Sequence, residues 1–212
     1  MDIIINIFKT MIEFAFQITG DWGIAIVLLT ITVKLLMLPF SIKQRIAMKK
    51  QIVFSKEIEA VKKKYKNNKK RQDDELNKLY LNNSKGMFGC FLSLLQLPII
   101  SGLYMSISRL PVEAMTMLIP WAMNIGSTDD KFIVPLIYTI VSILPSIISY
   151  LKIFNSNEKP ISIKSILPML IFGLVITVKA PIGLGIYFIT SSIFTLLEDI
   201  GFKIYSKNKV FA

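Results

Sequence analysis

Five long apolar segments constrain the fold of this chain more than any other feature. Each comes close to the ~20 residues that a helix needs to cross about 30 Å of hydrocarbon. They cover roughly residues 22–42, 86–107, 132–153, 164–179 and 181–203. Hydrophobic residues make up 53% of the chain and its mean hydropathy is +0.56, which is too apolar for a soluble domain of 212 residues. The sequence therefore predicts an all-α, polytopic membrane protein with five transmembrane helices.

The last two apolar segments are separated by only a short polar interruption. A single helix from 164 to 203 would be about 60 Å long, twice the thickness of the hydrocarbon core. The intervening "KAPIG" at 179–183 combines a charge, a proline and a glycine, a composition typical of a tight turn. We therefore predict two antiparallel spans here rather than one helix.

Positive charge is unevenly distributed along the chain and sets the predicted orientation. The segment 43–85 holds 14 Lys and Arg residues against 5 acidic residues, and 204–212 forms a short basic tail. The positive-inside rule therefore places the N-terminus outside and the C-terminus in the cytoplasm. An odd number of spans requires the same asymmetry. We expect a multi-pass protein of the bacterial plasma membrane.

The first 21 residues predict an amphipathic helix that lies in the outer interface. Polar residues recur every three to four positions, with apolar residues between them. The polar positions are Asp2, Asn6, Lys9, Glu13 and Gln17, and the apolar ones are Ile3, Ile7, Phe14 and Ile18. There is no basic start and no small-residue cleavage pattern, so we do not expect a signal peptide. Residues 110–124 are apolar but short and interrupted by prolines, which also indicates an interfacial excursion. The predicted division is thus 1–21, a core of 22–203, and the tail 204–212.

The basic segment 43–85 is predicted to form a cytoplasmic helical hairpin. "YKNNKK" at 65–70 breaks the first helix, and "DDELNKLYL" at 73–81 starts the second, with acidic residues in its first turn, where the helix dipole favours them. We expect the charge both to orient the protein and to dock anionic partners such as ribosomal RNA or lipid head groups. Orientation alone needs far fewer than 14 basic residues. The docking candidates are Lys62, Lys63, Lys64, Lys69, Lys70 and Arg71.

One charge, Lys34, interrupts the first apolar segment. A charge near the bilayer centre costs at least a few kcal/mol. Projection at 100° per residue places polar side chains of the first, second, third and fifth spans on one arc each, and Thr195 shares the arc of the fifth span. The groove candidates on these arcs are Thr30, Lys34, Ser93, Gln96, Tyr104, Thr139, Ser142, Ser146, Tyr187, Ser191 and Glu198.

These stripes have two interpretations. Ser and Thr hydroxyls that bond back to their own helix explain any single residue well. A water-accessible cavity around Lys34 explains four coincident stripes and a lysine better. Lys34 precedes Lys43 by nine residues, about 13 Å along a helix, so we expect a half-depth groove that opens toward the cytoplasm. Glu198 could pair with Lys34 if the lysine side chain reaches toward that surface.

The residue content argues against most catalytic sites. The chain has no histidine and a single cysteine, Cys90, so no internal disulfide can form and the commonest metal ligand is missing. We expect no metal and no cofactor. An intramembrane Ser–Lys hydrolase would need a serine in a fixed attack geometry with an oxyanion hole, and no serine lies in a recognisable motif. A conduit or a chaperone is therefore favoured over an enzyme, and an ion or solute channel lined by the same stripes is one such conduit.

Three strings resemble the YidC membrane protein insertases and their mitochondrial and chloroplast relatives. "GDWGIAIVLLTITVKLLMLPFSIKQ" is similar to that family's first core span, "GMFGCFLSLLQLPIISGLY" to its second and "APIGLGIYFITSSIFTLLE" to its last. They occur in the family's order around a basic hairpin, and the resemblance covers residues 19–203.

The resemblance implies a protein that inserts and folds nascent membrane proteins and is not an enzyme. It also implies a groove open to cytoplasm and lipid but closed outside, with one positive charge in its wall. Lys34 stands where the family usually has arginine, and Phe188, a further groove candidate, where it often has tryptophan. Ser192 and Glu198 replace the usual asparagine and glutamine. Nascent substrates, the bilayer, the ribosome and the Sec translocon are the implied partners of a monomer.

Overall fold

All regular structure in the described part of the chain is helical, as the sequence predicts. The computed structural model describes residues 2–66, 68–82, 96–110, 114–150 and 163–210. Seven helices lie within these ranges, which we number in chain order. They are α1 (Asp2–Thr19), α2 (Trp22–Lys64), α3 (Lys69–Asn82), α4 (Gln96–Ile107), α5 (Ile133–Tyr150), α6 (Ile163–Lys179) and α7 (Ile182–Val210).

Two of these helices are long and apolar enough to cross a membrane, judged by length and composition: Trp22–Lys64 and the Ile182–Tyr205 part of α7. Shorter apolar helices cover Leu97–Ile107 and Ile133–Pro145. The turn predicted between the last two spans is confirmed, since α6 ends at Lys179 and α7 begins at Ile182. The count of five spans stays a prediction.

The chain divides into two compact units. One unit, Met37–Ile99, contains the hairpin, and the other comprises Met1–Leu36 and Ile100–Ala212. We call the second the bundle unit. It contains α1, the first part of α2, and the helices from α4 onward.

The hairpin unit has the predicted break but not the predicted second helix start. Helix α2 ends at Lys64, where "YKNNKK" begins, and α3 starts at Lys69, four residues before "DDELNKLYL". The prediction that Asp73, Asp74 and Glu75 occupy the first turn is therefore wrong. Asn68 accounts for the earlier start, because its Oδ1 accepts a hydrogen bond from the Arg71 amide at 3.2 Å and caps the helix.

The two helices of the hairpin contact each other at both ends. At the turn, the Gln72 side-chain amide donates to the Lys62 carbonyl at 3.1 Å. Farther along, the rings of Phe54 and Tyr80 pack edge to face with centroids 5.7 Å apart. These contacts hold α3 antiparallel to the C-terminal half of α2.

The helix predicted near the N-terminus is confirmed as α1, and one of its sides is buried in the bundle unit. Its buried residues are Ile5, Phe8, Ile12 and Ala15. The apolar positions Ile7, Phe14 and Ile18 are more than half exposed. α1 thus has two apolar faces: one packs inside the bundle unit, and the other is exposed.

Residues 114–132, which we call the cap, connect α4 to α5 and bind the start of α2 through Asp21. The Asp21 carboxylate accepts hydrogen bonds from the Thr116 hydroxyl at 2.7 Å and from the Met117 amide at 2.6 Å. It also accepts a hydrogen bond from the Ile24 amide at 2.9 Å, which makes Asp21 the N-cap residue of α2. One carboxylate therefore completes the helix and fastens the cap.

The cap is fastened to α5 by a second carboxylate. Asp129 accepts the Val134 amide at 2.7 Å, which caps α5. Its other oxygen accepts the Trp121 indole N–H at 3.1 Å. The same residue thus fixes the helix start and one side chain within the cap.

The first turn of α7 is fastened to the cap by backbone bonds. The amide of Ile182 donates to the Ser127 carbonyl and the amide of Gly183 to the Ile125 carbonyl, both at 2.8 Å. Amides in the first turn of a helix have no partner within the helix, and here the cap supplies their acceptors. Helices α2, α5 and α7 therefore all start at the cap and run away from it.

Close packing at two glycines brings α7 against its neighbours. A Cβ at Gly185 would collide with Val134 of α5, and one at Gly183 would meet Ile26 of α2 at 3.0 Å and Ile107 of α4 at 3.1 Å. Only a residue without a side chain allows this approach. The start of α7 therefore packs against α2, α4 and α5. We call this end of the bundle unit, where the cap lies, the capped end.

We expect Asp21→Ala to destabilise the bundle by about 2 kcal/mol or more, since it removes a helix cap and leaves buried donors unpaired. Burial raises the pKa of Asp21, but the hydrogen bonds from Ile24, Met117 and Thr116 together lower it by more. The pKa of this carboxyl therefore lies below its ordinary value. The stabilisation is therefore present above the ordinary carboxyl pKa and is lost as the pH falls through the lowered one.

Thermal unfolding of the purified full chain in detergent, at neutral and acidic pH, measures this effect. Asp130→Ala removes an exposed carboxylate of the same cap and serves as the matched control. Equal unfolding midpoints for the two variants at neutral pH would contradict the role given to Asp21.

Candidate functional site

Because α2, α5 and α7 all start at the cap, residues at similar distances from their starts lie at similar depths. At 1.5 Å per residue, Tyr138 and Tyr187 are about 8 Å from the helix starts, and Lys34 and Thr195 are about 18–20 Å from them. Thr30, Ser142 and Ser191 form an intermediate layer at about 12–14 Å. The candidate positions predicted on three separate spans therefore fall into common layers.

Lys34 contacts α7 through a threonine. Its ammonium Nζ donates a hydrogen bond to the Thr195 hydroxyl oxygen at 3.2 Å. The Thr195 hydroxyl donates its proton in a hydrogen bond to the Ser191 carbonyl at 2.8 Å. Its oxygen lone pairs are therefore left to accept the hydrogen bond from the ammonium. The sequence placed Thr195 on the polar arc of the fifth span without counting it among the groove candidates. The arc was the available signal, but the contact itself joins residues 161 positions apart.

Three other hydroxyls of the candidate set donate to their own helix. Thr30 donates to the Ile26 carbonyl at 2.6 Å, Thr139 to the Pro135 carbonyl and Ser142 to the Thr139 carbonyl, both at 2.8 Å. Bonding back to the same helix is the interpretation that the sequence analysis offers for single Ser and Thr residues. It uses the hydroxyl protons, but each hydroxyl oxygen can still accept a hydrogen bond. Thr30 is 1% exposed and Tyr104 is 47% exposed, so the first lies inside the packing and the second on the surface.

An aromatic cluster lies nearer the cap. The Phe188 ring packs against Tyr138 and Tyr187, with centroids 5.4 and 5.5 Å apart. Tyr187 is almost fully buried and is hydrogen-bonded to Ser191. The cluster fills the space between α5 and α7, so the polar layers end in an apolar, packed layer on the cap side.

Glu198 lies one turn beyond Thr195 on α7. Residues three apart share a helix face, so the Thr195 contact directs the Lys34 ammonium toward the face that carries Glu198. Asp199, next to it, forms an ion pair with Lys203 at 3.9 Å. Pairing of Lys34 with Glu198 stays a prediction.

Three candidates cannot be described in the same detail. Ser93 lies outside the described residues, while Gln96 and Ser146 lie within α4 and α5 but their side chains are outside the description. Among the residues that are described, no group of His, Cys, Asp or Glu could hold a metal ion.

The docking candidates all lie at the turn of the hairpin and all are exposed. Lys62, Lys63 and Lys64 form the last turn of α2. Lys69, Lys70 and Arg71 begin α3. The turn is thus a compact basic tip, with Lys66 between the two helices.

Comparison with known proteins identifies the family. Residues 14–209 match the family model described as "60Kd inner membrane protein". The chain is 32% identical over 195 residues to the membrane protein insertase YidC 2 of Listeria innocua, covering 90% of this chain and 67% of that protein. It is 30% identical to the membrane protein insertase YidC of Caldanaerobacter subterraneus subsp. tengcongensis, covering 89% and 88%, and 28% identical to that of Fusobacterium nucleatum, covering 94% and 96%. The match covers α2 through α7 with the capped end and Lys34, and the chain belongs to the YidC family of inner membrane proteins.

Proposed function

We propose that this chain is a membrane protein insertase that helps nascent membrane proteins to insert and fold. The observation that carries the proposal is the Lys34–Thr195 contact, which holds a cation part of the way along a predicted membrane span. The relatives named above are insertases by their printed names. Their family supports a location in the bacterial inner membrane.

The proposed topology has five spans, the N-terminus outside and the C-terminus in the cytoplasm. The cap then lies outside and the basic hairpin inside. Lys34 is about 18 Å from the start of α2 and about 13 Å from Lys43, which together equal the ~30 Å of a hydrocarbon core. These two residue counts along α2 thus support placing Lys34 near the middle of the bilayer.

The proposed groove reaches from the cytoplasm to the layer of Lys34 and opens sideways to lipid. Its outer end is closed by the aromatic cluster and the cap. Unsatisfied polar groups of a translocated tail each cost several kcal/mol in hydrocarbon. A half-depth aqueous path removes about half of that dry distance, while the incoming apolar helix leaves into lipid.

Lys34 would act by attracting acidic residues of the tail. At an effective dielectric constant of ~20, opposite charges about 4 Å apart attract by about 4 kcal/mol. Thr195 holds the ammonium on the α7 side. The Glu198 carboxylate would compensate the positive charge when no substrate is bound. The channel interpretation is not favoured, because the capped end closes over three helix starts and the relatives are named insertases.

Charge at position 34 is tested by insertion of a single-span substrate with an acidic extracytoplasmic tail, in cells depleted of their own insertase. We expect Lys34→Arg to retain activity, and Lys34→Met to reduce insertion about tenfold, equivalent to roughly 1.4 kcal/mol of the barrier. Lys34→Glu should be worse still. A substrate whose acidic residues are replaced by Asn and Gln is the control and should be affected little.

The Thr195 contact is measured in the same assay. Thr195→Ser keeps the hydroxyl and should behave as the parent chain, whereas Thr195→Val should lower insertion of the acidic substrate. In a Lys34→Met background, Thr195→Val should have no further effect.

Unchanged insertion of both substrates by Lys34→Met would mean that the groove has no electrostatic role, and it would contradict this part of the proposal.

We further propose that the basic tip of the hairpin docks an anionic partner, with ribosomal RNA as the principal one. Six exposed cations lie within the last turn of α2 and the first turn of α3. Cations at a helix N-terminus oppose the helix dipole, at a cost of about 0.3–1 kcal/mol each. A bound phosphate backbone would offset that cost. Action as a monomer, alone or beside the Sec translocon, completes the proposal.

Co-sedimentation with ribosomes over a salt series tests the basic tip. Replacing its six cations by Gln should weaken binding at least about tenfold and flatten the salt dependence. The matched control replaces six other cations of the hairpin unit by Gln: Lys43, Arg45, Lys49, Lys50, Lys56 and Lys78. Equal losses in the two variants would mean that total charge matters and the tip does not.

A further inference from the structure

The cap has one apolar and one polar surface, and they follow each other in sequence. Met115, Met117, Leu118 and Met123 are exposed, with Met117 and Met123 each 85% exposed. From 127 to 131 the exposed residues are polar or charged: Ser127, Thr128, Asp130 and Lys131. The cap is therefore amphipathic without being helical.

The exposed methionine side chains are not the groups whose hydrogen bonds fasten the cap to the bundle. That role belongs to buried groups, among them Thr116 and Asp129, whose hydrogen bonds reach α2 and α5. Ile119 and Ile125 fill the inner side of the cap. Leaving large apolar side chains in water forgoes about 1.5–3 kcal/mol each, so the outer surface fits an apolar environment.

Two features identify lipid as that environment. The exposed apolar face of α1, formed by Ile7, Phe14 and Ile18, belongs to the same unit. α1 joins α2 through the stacked rings of Phe16 and Trp22, 4.0 Å apart, directly beside Asp21, which binds the cap. Unbranched methionine side chains also adapt to irregular surroundings, which suits contact with fluid acyl chains.

We propose that residues 115–123 of the cap are immersed in the outer leaflet, at the boundary of head groups and acyl chains, while residues 127–131 face water. The inference rests on the proposed topology, which places the cap outside. It gives the cap a second role besides closing the groove. A cap anchored at a fixed depth sets the depth of Lys34, because α2 extends rigidly from Asp21.

The chain's two tryptophans allow a direct test. Trp22→Phe preserves an aromatic ring against Phe16 and leaves Trp121 as the only indole, held in the cap by its hydrogen bond to Asp129. In vesicles, we expect phospholipids brominated near the carbonyl end to quench Trp121 more strongly than those brominated near the chain end. Aqueous iodide should quench it weakly. Strong iodide quenching without quenching by any brominated lipid would overturn the inference.

A second measurement does not depend on fluorescence. In a Cys90→Ser background, Met123→Cys and Thr128→Cys place one thiol on each surface of the cap. A membrane-impermeant maleimide added to intact cells should label Thr128→Cys at least about tenfold faster, because burial in lipid disfavours the reactive thiolate. Equal labelling rates would overturn the placement of residues 115–123 in lipid and would leave the proposed topology standing.

Labelling of Thr128→Cys only after permeabilisation would overturn the outer placement of the cap, and with it the proposed topology. Neither measurement requires insertion activity. A failure of the proposed function would therefore appear in the substrate assay and leave these results unchanged.

Discussion

The hydrogen bonds between the cap and the starts of three helices are the interaction on which the rest of the structure depends. Helix starts carry unpaired amides, and a buried amide that lacks an acceptor costs about 1–3 kcal/mol. Asp21 and Asp129 satisfy those of α2 and α5, and cap carbonyls satisfy those of α7. Because the three helices start at the same segment, residues equally far from their starts are expected at similar depths.

The common origin also explains how one lysine can be tolerated far along an apolar helix. Lys34 reaches Thr195 because both lie about 18–20 Å from the cap. A threonine oxygen whose proton is already committed to a carbonyl is a good acceptor for an ammonium. The family resemblance leads us to expect arginine at this position, and a guanidinium would offer a planar fork to a carboxylate. Lysine presents a compact charge, which here donates a hydrogen bond to the Thr195 hydroxyl.

Much of the fold could be predicted from local patterns. Apolar segment length gave the helical class, "YKNNKK" the break after Lys64, and "KAPIG" the turn before Ile182, because each depends on a few neighbouring residues. The start of α3 was misjudged because capping by Asn68 outweighed the preference of the dipole for acidic residues. In α1 both apolar faces are plausible from sequence, and only packing decides that Ile5 and Ile12 turn inward. The Asp21–Thr116 and Lys34–Thr195 contacts join distant residues, so no periodicity could reveal them.

The central claim is a half-depth aqueous groove that reaches Lys34 from the cytoplasm and is closed outside. Its most direct test is the reactivity of a thiol at that position, Lys34→Cys in a Cys90→Ser background. An impermeant thiol reagent should label it in inside-out vesicles and leave it unlabelled in intact cells. No labelling from either side would mean a dry site, and labelling from the outside would mean an open pore. Either result would contradict the account.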